Sequence, residues 1–351
     1  MTEHELVARA IRFEKPERIP IRLNINYSCW AAYGTERVRE WVEGHPLLFP
    51  WGKGLDWKTF QPWCSPLARA GQPFIDAWGC VWETSQDGIM GAVTRHPLKT
   101  WDDFERWSPP DPSKTNGNTP LDWKAIRESV SRARAAKEFP EGGLVHGHTF
   151  LLLTYLRGYE NLLLDMVDGE PRLDRLVEMV TAFNEGLVRR YLEAGVESMS
   201  CPEDLGMQKG PMIPPKLFLK YIQPAYRRIM QPARDAGCLI QVHSDGDLHE
   251  LIEPLLECGV NSMNLQDVVN GVDWIAQRLK GRVCIDIDID RQNVTRFGAP
   301  AEIERHIEGL VRRLGSPEGG LMMLYGLYPD LPHENVVAVM DSMERFSTFY
   351  S

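Results

Sequence analysis

The chain has 351 residues, 43% hydrophobic and 25% charged, an ordinary globular composition with room for one large α/β barrel or two smaller domains. Its formal net charge of −10 argues against a nucleic-acid-binding surface, and no apolar run approaches the roughly 18 residues of a membrane span. The acidic start, Met1 to Glu5, lacks the basic-then-apolar layout of a secretion signal, so a cytoplasmic location is expected; seven cysteines without a C-x-x-C pair argue against a disulfide framework and a zinc knuckle.

Ile19 to Asn24 reads as a first strand. Between it and residue 140 the chain is rich in Trp, Pro and Gly: Trp30, Trp41, Trp51, Trp57, Trp63, Trp78, Trp82, Trp101 and Trp107 all fall here, and Pro109 to Pro112 marks a turn. Residues of about 27–140 are read as a cap over a barrel mouth rather than a separate domain, so that 1–351 is one domain.

From residue 140 strands and helices alternate. Gly143 to His146 reads as a strand, and Tyr159 to Asp168 and Pro171 to Ala194 as helices with apolar residues three and four apart. Glu197 to Cys201 is a strand, and Pro215 to Ala236 a helix broken near Pro224 and Pro232. Then come strand 239–243, helix 249–258, strand 262–265, helix 272–279, strand 282–288, helix 301–314, strand 320–325 and a last helix, Glu334 to Phe349. Six or seven such units predict a parallel sheet closed as a (β/α)₈ TIM barrel with a Trp-rich N-terminal elaboration.

In such a barrel the chemistry sits at the C-terminal strand tips. His243-Ser-Asp-Gly246 ends one predicted strand, with His243 and Asp245 two residues apart on one side. The pair could ligate a divalent metal, move a proton, or only shape a turn. Glu203 and Asp204 follow the strand before it and could act as ligands or as acid and base, or be solvated acids of a turn. Asp286, Asp288 and Asp290 alternate onto one face of another strand, where an arginine such as Arg291 or a cation must meet them. His146 and His148 end a further strand, in an H-x-H spacing open to metal, substrate or burial. Trp78 and Trp82 are read as core or as an aromatic wall of the mouth. No phosphate-binding loop, dinucleotide fingerprint or nucleophile elbow occurs.

Several segments, in order, resemble the uroporphyrinogen decarboxylase superfamily, specifically the bacterial branch related to corrinoid-linked methyltransferases. They are Asp76 to Trp82, His96 to Leu98 with Trp101 to Phe104, Leu156 to Asn161, Glu203 to Gln208 running into Gly210 to Pro214, His243 to Gly246, Asp290 to Gln292, and Pro332 to Asn335. The resemblance implies a (β/α)₈ barrel with its cleft at the C-terminal strand ends. The decarboxylases resemble one another in an arginine-containing N-terminal arm, whereas this chain reads Asn24-Ile-Asn-Tyr-Ser-Cys-Trp30 there. The methyltransferases usually carry His-x-Cys where His243 to Asp245 lies and a further Cys where Tyr325-Gly326 lies, thiolates that hold zinc; both cysteines are replaced.

The resulting expectation is a methyltransferase-type enzyme moving a one-carbon group between a small-molecule substrate and a corrinoid or folate carrier. His243, Asp245, Glu203 and Asp204 are the expected catalytic residues. His243, Asp245 and Glu203 are the expected ligands of a divalent metal, zinc or harder. His146, His148, Asp288, Asp290, Tyr325, Trp78 and Arg157 are expected to meet substrate. A corrinoid protein and a second copy of the chain are the expected partners, with no nucleic acid and no membrane. Decarboxylation of a carboxylated small molecule is the runner-up, to be favoured if Arg22, Arg157 and Arg291 converge; a non-catalytic binding barrel is the third reading.

Overall fold

A computed structural model describes residues 1–351. Ten strands occur: β1 Ile21–Ile25, β2 Phe74–Ile75, β3 Val81–Glu83, β4 Ala92–Arg95, β5 Glu141–Gly143, β6 Ser198–Pro202, β7 Leu239–Ser244, β8 Ser262–Gln266, β9 Cys284–Asp288 and β10 Leu321–Leu327. Seven of them form one curled parallel sheet in the order β1-β10-β9-β8-β7-β6-β5. The curled parallel sheet is TIM-barrel-like, as expected, but its hydrogen-bonded strands number seven, with β1 and β5 at its two ends. The chain between them is spent on the cap, whose own strands β2, β3 and β4 pair antiparallel with one another.

Helices flank the sheet because each connection carries apolar residues on one face. Tyr159–Asp168, Pro171–Ala194 and Val272–Leu279 fall where their periodicity predicts. The predicted 215–236 helix is three pieces, a turn Pro215–Leu217, a π-helical segment Phe218–Ile222 and the helix Gln223–Asp235. Pro224 lacks an N–H for the regular ladder, and the wider π turn absorbs that loss just before it. No helix is long and apolar enough to cross a membrane.

Alternation then sorts each strand. In β9, Ile285 and Ile287 pack into the core while Asp286 and Asp288 face the lumen, where Arg22 and Arg291 meet them. Across the sheet His243 is paired with Asn264 and Asn264 with Asp286, so three polar side chains share one layer. Trp41, Trp78, Trp82 and Phe104 of the cap belong to the same buried cluster as Ile240, Ile285 and Met323 of the sheet. Cap and sheet therefore share one core.

Candidate active site

Three side chains converge at the C-terminal ends of β5, β6 and β7. His146 lies just beyond β5, Asp204 just beyond β6, and His243 on β7 itself. One ligand atom from each lies within 4.8 Å of the others. The Asp204 Oδ1 atom stands 3.2 Å from His146 Nε2 and 3.5 Å from His243 Nε2. It also accepts the backbone N–H of Asp245 at 3.1 Å.

Two glycines make this convergence sterically feasible. Gly246 has φ +85°, and a Cβ there would lie 2.1 Å from the carbonyl carbon of Gly206. The loops after β6 and β7 thus touch backbone to backbone, which brings Asp204 against Asp245.

His243 is oriented from behind. Its Nδ1 lies 2.5 Å from the Asn264 side-chain oxygen, and the Asn264 amide donates to the Asp286 carbonyl at 2.6 Å. With the amide turned that way only its oxygen faces the ring, so Nδ1 carries hydrogen and Nε2 is directed at Asp204 and His146. Burial opposes a charge on His243, but Asp204, Asp245 and Asn264 hold its pKa up at about 9. Burial also works against the charge of Asp204, yet the imidazoles of His146 and His243 draw it well below the usual carboxylate range.

The other wall is built on Arg291. It donates to Asp288 at 2.6 Å and to Asp245 at 3.1 Å, and it lies 5.7 Å from the Tyr328 ring centre. Burial pushes Asp288 up to about 6 despite this arginine. One oxygen of Asp245 and one of Asp288 are buried without a hydrogen-bond partner. These groups surround a cavity of about 430 Å³, lined also by Asn24, Asn26, Met90 and Gly326.

Several expected site residues lie elsewhere. Glu203 is buried, its Oε1 accepting the N–H groups of Thr149 and Leu151 and its Oε2 bonded to the Tyr226 hydroxyl. It caps the start of the helix Phe150–Arg157 and lies outside the converging group of His146, Asp204 and His243. Of the expected trio His243, Asp245 and Glu203, only His243 belongs to the group whose potential ligand atoms converge, His146, Asp204 and His243, because successive residues leaving β6 point to opposite sides. His148 is fully buried beside Tyr226, bonded to Thr149, and burial drives its pKa down to about 3.

Four more residues expected to meet substrate have their side chains engaged within the chain. Asp290 accepts the N–H groups of Gln292, Asn293 and Val294, which makes it the organiser of its own turn. Tyr325 is buried with its hydroxyl on Thr295. Trp78 packs between Trp107 and Phe183. Arg157 lies under Trp101, bonded to the Leu98 and Lys99 carbonyls and to Asp165. Arg22 pairs with Asp286 in a different cavity, so the three arginines do not converge.

The donor set has the composition of a metal centre. Two imidazole nitrogens and one carboxylate oxygen converge, and the buried free oxygen of Asp245 stands 3.8 Å from His243 Nε2. This N₂O set, with a further oxygen in reserve, fits zinc, manganese or ferrous iron. All seven cysteines are buried and none belongs to the cluster.

Sequence reasoning missed Asn264. Its signal was an amide between Met263 and Leu265 in an otherwise apolar run, on the lumen side by alternation. It named His146 and Asp204 separately as possible ligands but did not join them in one set with His243, since they lie 58 residues apart in the chain and meet only through the β5–β6 pairing.

The family described as "Uroporphyrinogen decarboxylase (URO-D)" matches residues 75–346. The uroporphyrinogen decarboxylases of Homo sapiens and Pongo abelii are each 25% identical over 162 residues, 44% of this chain and 42% of theirs. The match thus spans less than half the length of these curated relatives. A "methyltransferase from Methanosarcina mazei" superposes with a TM-score of 0.64 at 14% identity, covering 100% of both chains, a likeness of fold. With a family match over well over half of its length, the chain belongs to the uroporphyrinogen decarboxylase family.

Proposed function

We propose that this chain is a methyltransferase-type enzyme of its family, moving a one-carbon group from a small substrate to a corrinoid or folate carrier. The observation that carries the reading is the convergence of His146, Asp204 and His243, with the His243 tautomer set by Asn264. His146, Asp204 and His243 would hold a divalent metal, with Asp245 beside them. When bound, such an ion supplies Lewis acidity to a heteroatom of the substrate.

The residues have separable tasks. Asn264 keeps the His243 ring turned toward the cavity. Arg291 compensates the charges of Asp245 and Asp288. Asp288, with its pKa near 6 and one oxygen unpartnered, is the side chain suited to hold a proton for a departing heteroatom. In the proposed reaction the methyl–heteroatom bond breaks, the heteroatom keeps the electron pair and takes a proton, and the methyl group forms its new bond to the carrier. A corrinoid protein docking at the mouth is the partner this reading calls for.

The runner-up, decarboxylation, is favoured by the names of the curated relatives. Its expected arginine cluster is absent: only Arg291 lines the mouth, already held by two carboxylates. The two readings separate in one assay. Metal-loaded chain is given a panel of methoxy and methylamine substrates, and of carboxylated small molecules, with a corrinoid protein reduced to its cobalt(I) state, and methyl-corrinoid formation is followed spectroscopically beside carbon dioxide release. Methyl transfer across none of the panel sinks the leading reading, and carbon dioxide release installs the other.

A further inference from the structure

The charged cavity is one half of a longer cleft. A second cavity of about 680 Å³ adjoins it, and the two share Asn26, Met90, His146 and Tyr328 as a common boundary. Their walls differ in kind. The inner cavity carries Asp204, Asp245, Asp288, Arg291 and His243. The outer one, beyond the His146 boundary, has no charged side chain at all; its walls are Trp63, Leu67, Ile89 and Met90 on one part and Asn116, Asn118 and Thr119 on another.

Two further observations point to a ligand there. Trp63 is 76% exposed, Met90 43% and Tyr328 40%, so three large apolar side chains are left open to solvent around this one cleft. Of the other cap tryptophans, Trp41, Trp78 and Trp82 are buried in the core and Trp30, Trp57, Trp101 and Trp107 pack against it, while Trp51, 46% exposed, is the other one left open and lines a different cavity. An indole left uncovered at a cavity wall presents its flat face to whatever enters. The polar wall is selective too. Asn26 is bonded to Gly88 and Ser28, and the Asn116 oxygen accepts from Asn118 and Thr119, which leaves Asn118 as the lining amide with neither its oxygen nor its nitrogen bonded within the chain.

We propose that the outer cavity is a substrate-recognition site for the uncharged, ring-bearing portion of the substrate, stacked on Trp63 and read by Asn118. The reacting end then crosses the His146 boundary into the charged cavity. This rests on the same cleft as the proposed function and narrows its substrate class. An anionic group in the outer cavity would lose its hydration and find no cation, a cost that a neutral ring does not incur. Polycarboxylated ring systems are therefore disfavoured, and uncharged ring compounds carrying an amide or hydroxyl are favoured.

The test is direct binding to the full chain by calorimetry, with naphthalene-2-carboxamide and 2-naphthoate as a neutral and an anionic probe of nearly one shape. The carboxamide is expected to bind and the naphthoate to bind at least about tenfold more weakly; Trp63→Ala should weaken the carboxamide by about tenfold. Trp51→Ala, an exposed tryptophan lining a different cavity, should leave it unchanged. Asn118→Arg should reverse the preference, a gain that a damaged fold cannot produce. Equal or tighter naphthoate binding by the unaltered chain, no effect of Trp63→Ala, or no binding of either probe at millimolar concentration overturns the proposal. Probe binding as expected without methyl transfer to any carrier leaves this site standing and removes the proposed function. Methyl transfer that is indifferent to Trp63→Ala and Asn118→Arg does the reverse.

Discussion

Two adjacent carboxylates, Glu203 and Asp204, and two histidines two residues apart, His146 and His148, are divided between two regions of the molecule. Asp204 and His146 stand at the cavity mouth with His243; Glu203 and His148 lie in a sealed pocket against Tyr226. In the sealed pocket burial dominates: Glu203 is pushed up to about 7 and His148 down to about 3. At the mouth the partners dominate: His243 is held up at about 9 and Asp204 is drawn down, although burial acts against both charges. Alternation parts the adjacent Glu203 and Asp204, whereas His146 and His148, which an extended chain would place on one side, are parted by Gly147 between them, whose φ of +76° turns the backbone. The teaching is that proximity in sequence at a strand tip selects opposite environments rather than a shared one.

The largest expected effect tests the reactive side. Asp204→Asn and His243→Ala should each lower turnover by about a thousandfold, with unfolding midpoints near the parent's. A loss of turnover that only tracks unfolding would erase the distinction between the two regions. Next, Glu203→Ala should cost about 3 kcal/mol in urea unfolding, since it strands two N–H groups and the Tyr226 hydroxyl. Turnover per folded molecule should hold near the parent's; a thousandfold loss there would return Glu203 to the chemistry.

The same residue sets a pH signature. A carboxyl whose native pKa is raised binds more protons folded than unfolded, so its stabilising contribution is present below the unfolded value and is lost as pH rises through about 7. Glu203→Gln should flatten the fall in stability between about pH 4.5 and 7. An unchanged slope would show that Glu203 is ionised in its pocket throughout. The smallest effect probes the support of the reactive set. Asn264→Ala should weaken divalent-metal affinity about 10- to 100-fold without abolishing it, measured by competition with a chelator. Unchanged affinity would mean that the ring of His243 needs no such anchor.

Much of this was legible beforehand, for identifiable reasons. The helices Tyr159–Asp168 and Pro171–Ala194 were readable because their apolar spacing is unbroken and Gly169 and Gly195 end them. His243 was readable because it ends an apolar strand at a polar turn. The placing of β1 and β5 at the two ends of the sheet was not, since counting strand–helix units says nothing of whether the first and last strands pair. For Trp78 the core alternative is the one its packing on Phe183 matches, while the packing of Arg157 on the Leu98 carbonyl was not legible because that partner lies 59 residues away and is a backbone group. Glu203 was misread because its partners, Thr149 and Leu151, are more than fifty residues away and are backbone groups that no sequence pattern marks.

The central claim is that His146, Asp204 and His243 form one metal-binding reaction centre. Its most direct test is the metal content of the purified chain after reconstitution with zinc or manganese, measured beside the Asp204→Asn and Glu203→Gln variants. The account predicts about one equivalent for the parent and for Glu203→Gln, and none retained by Asp204→Asn after exhaustive dialysis. Retention by Asp204→Asn with loss from Glu203→Gln would contradict it.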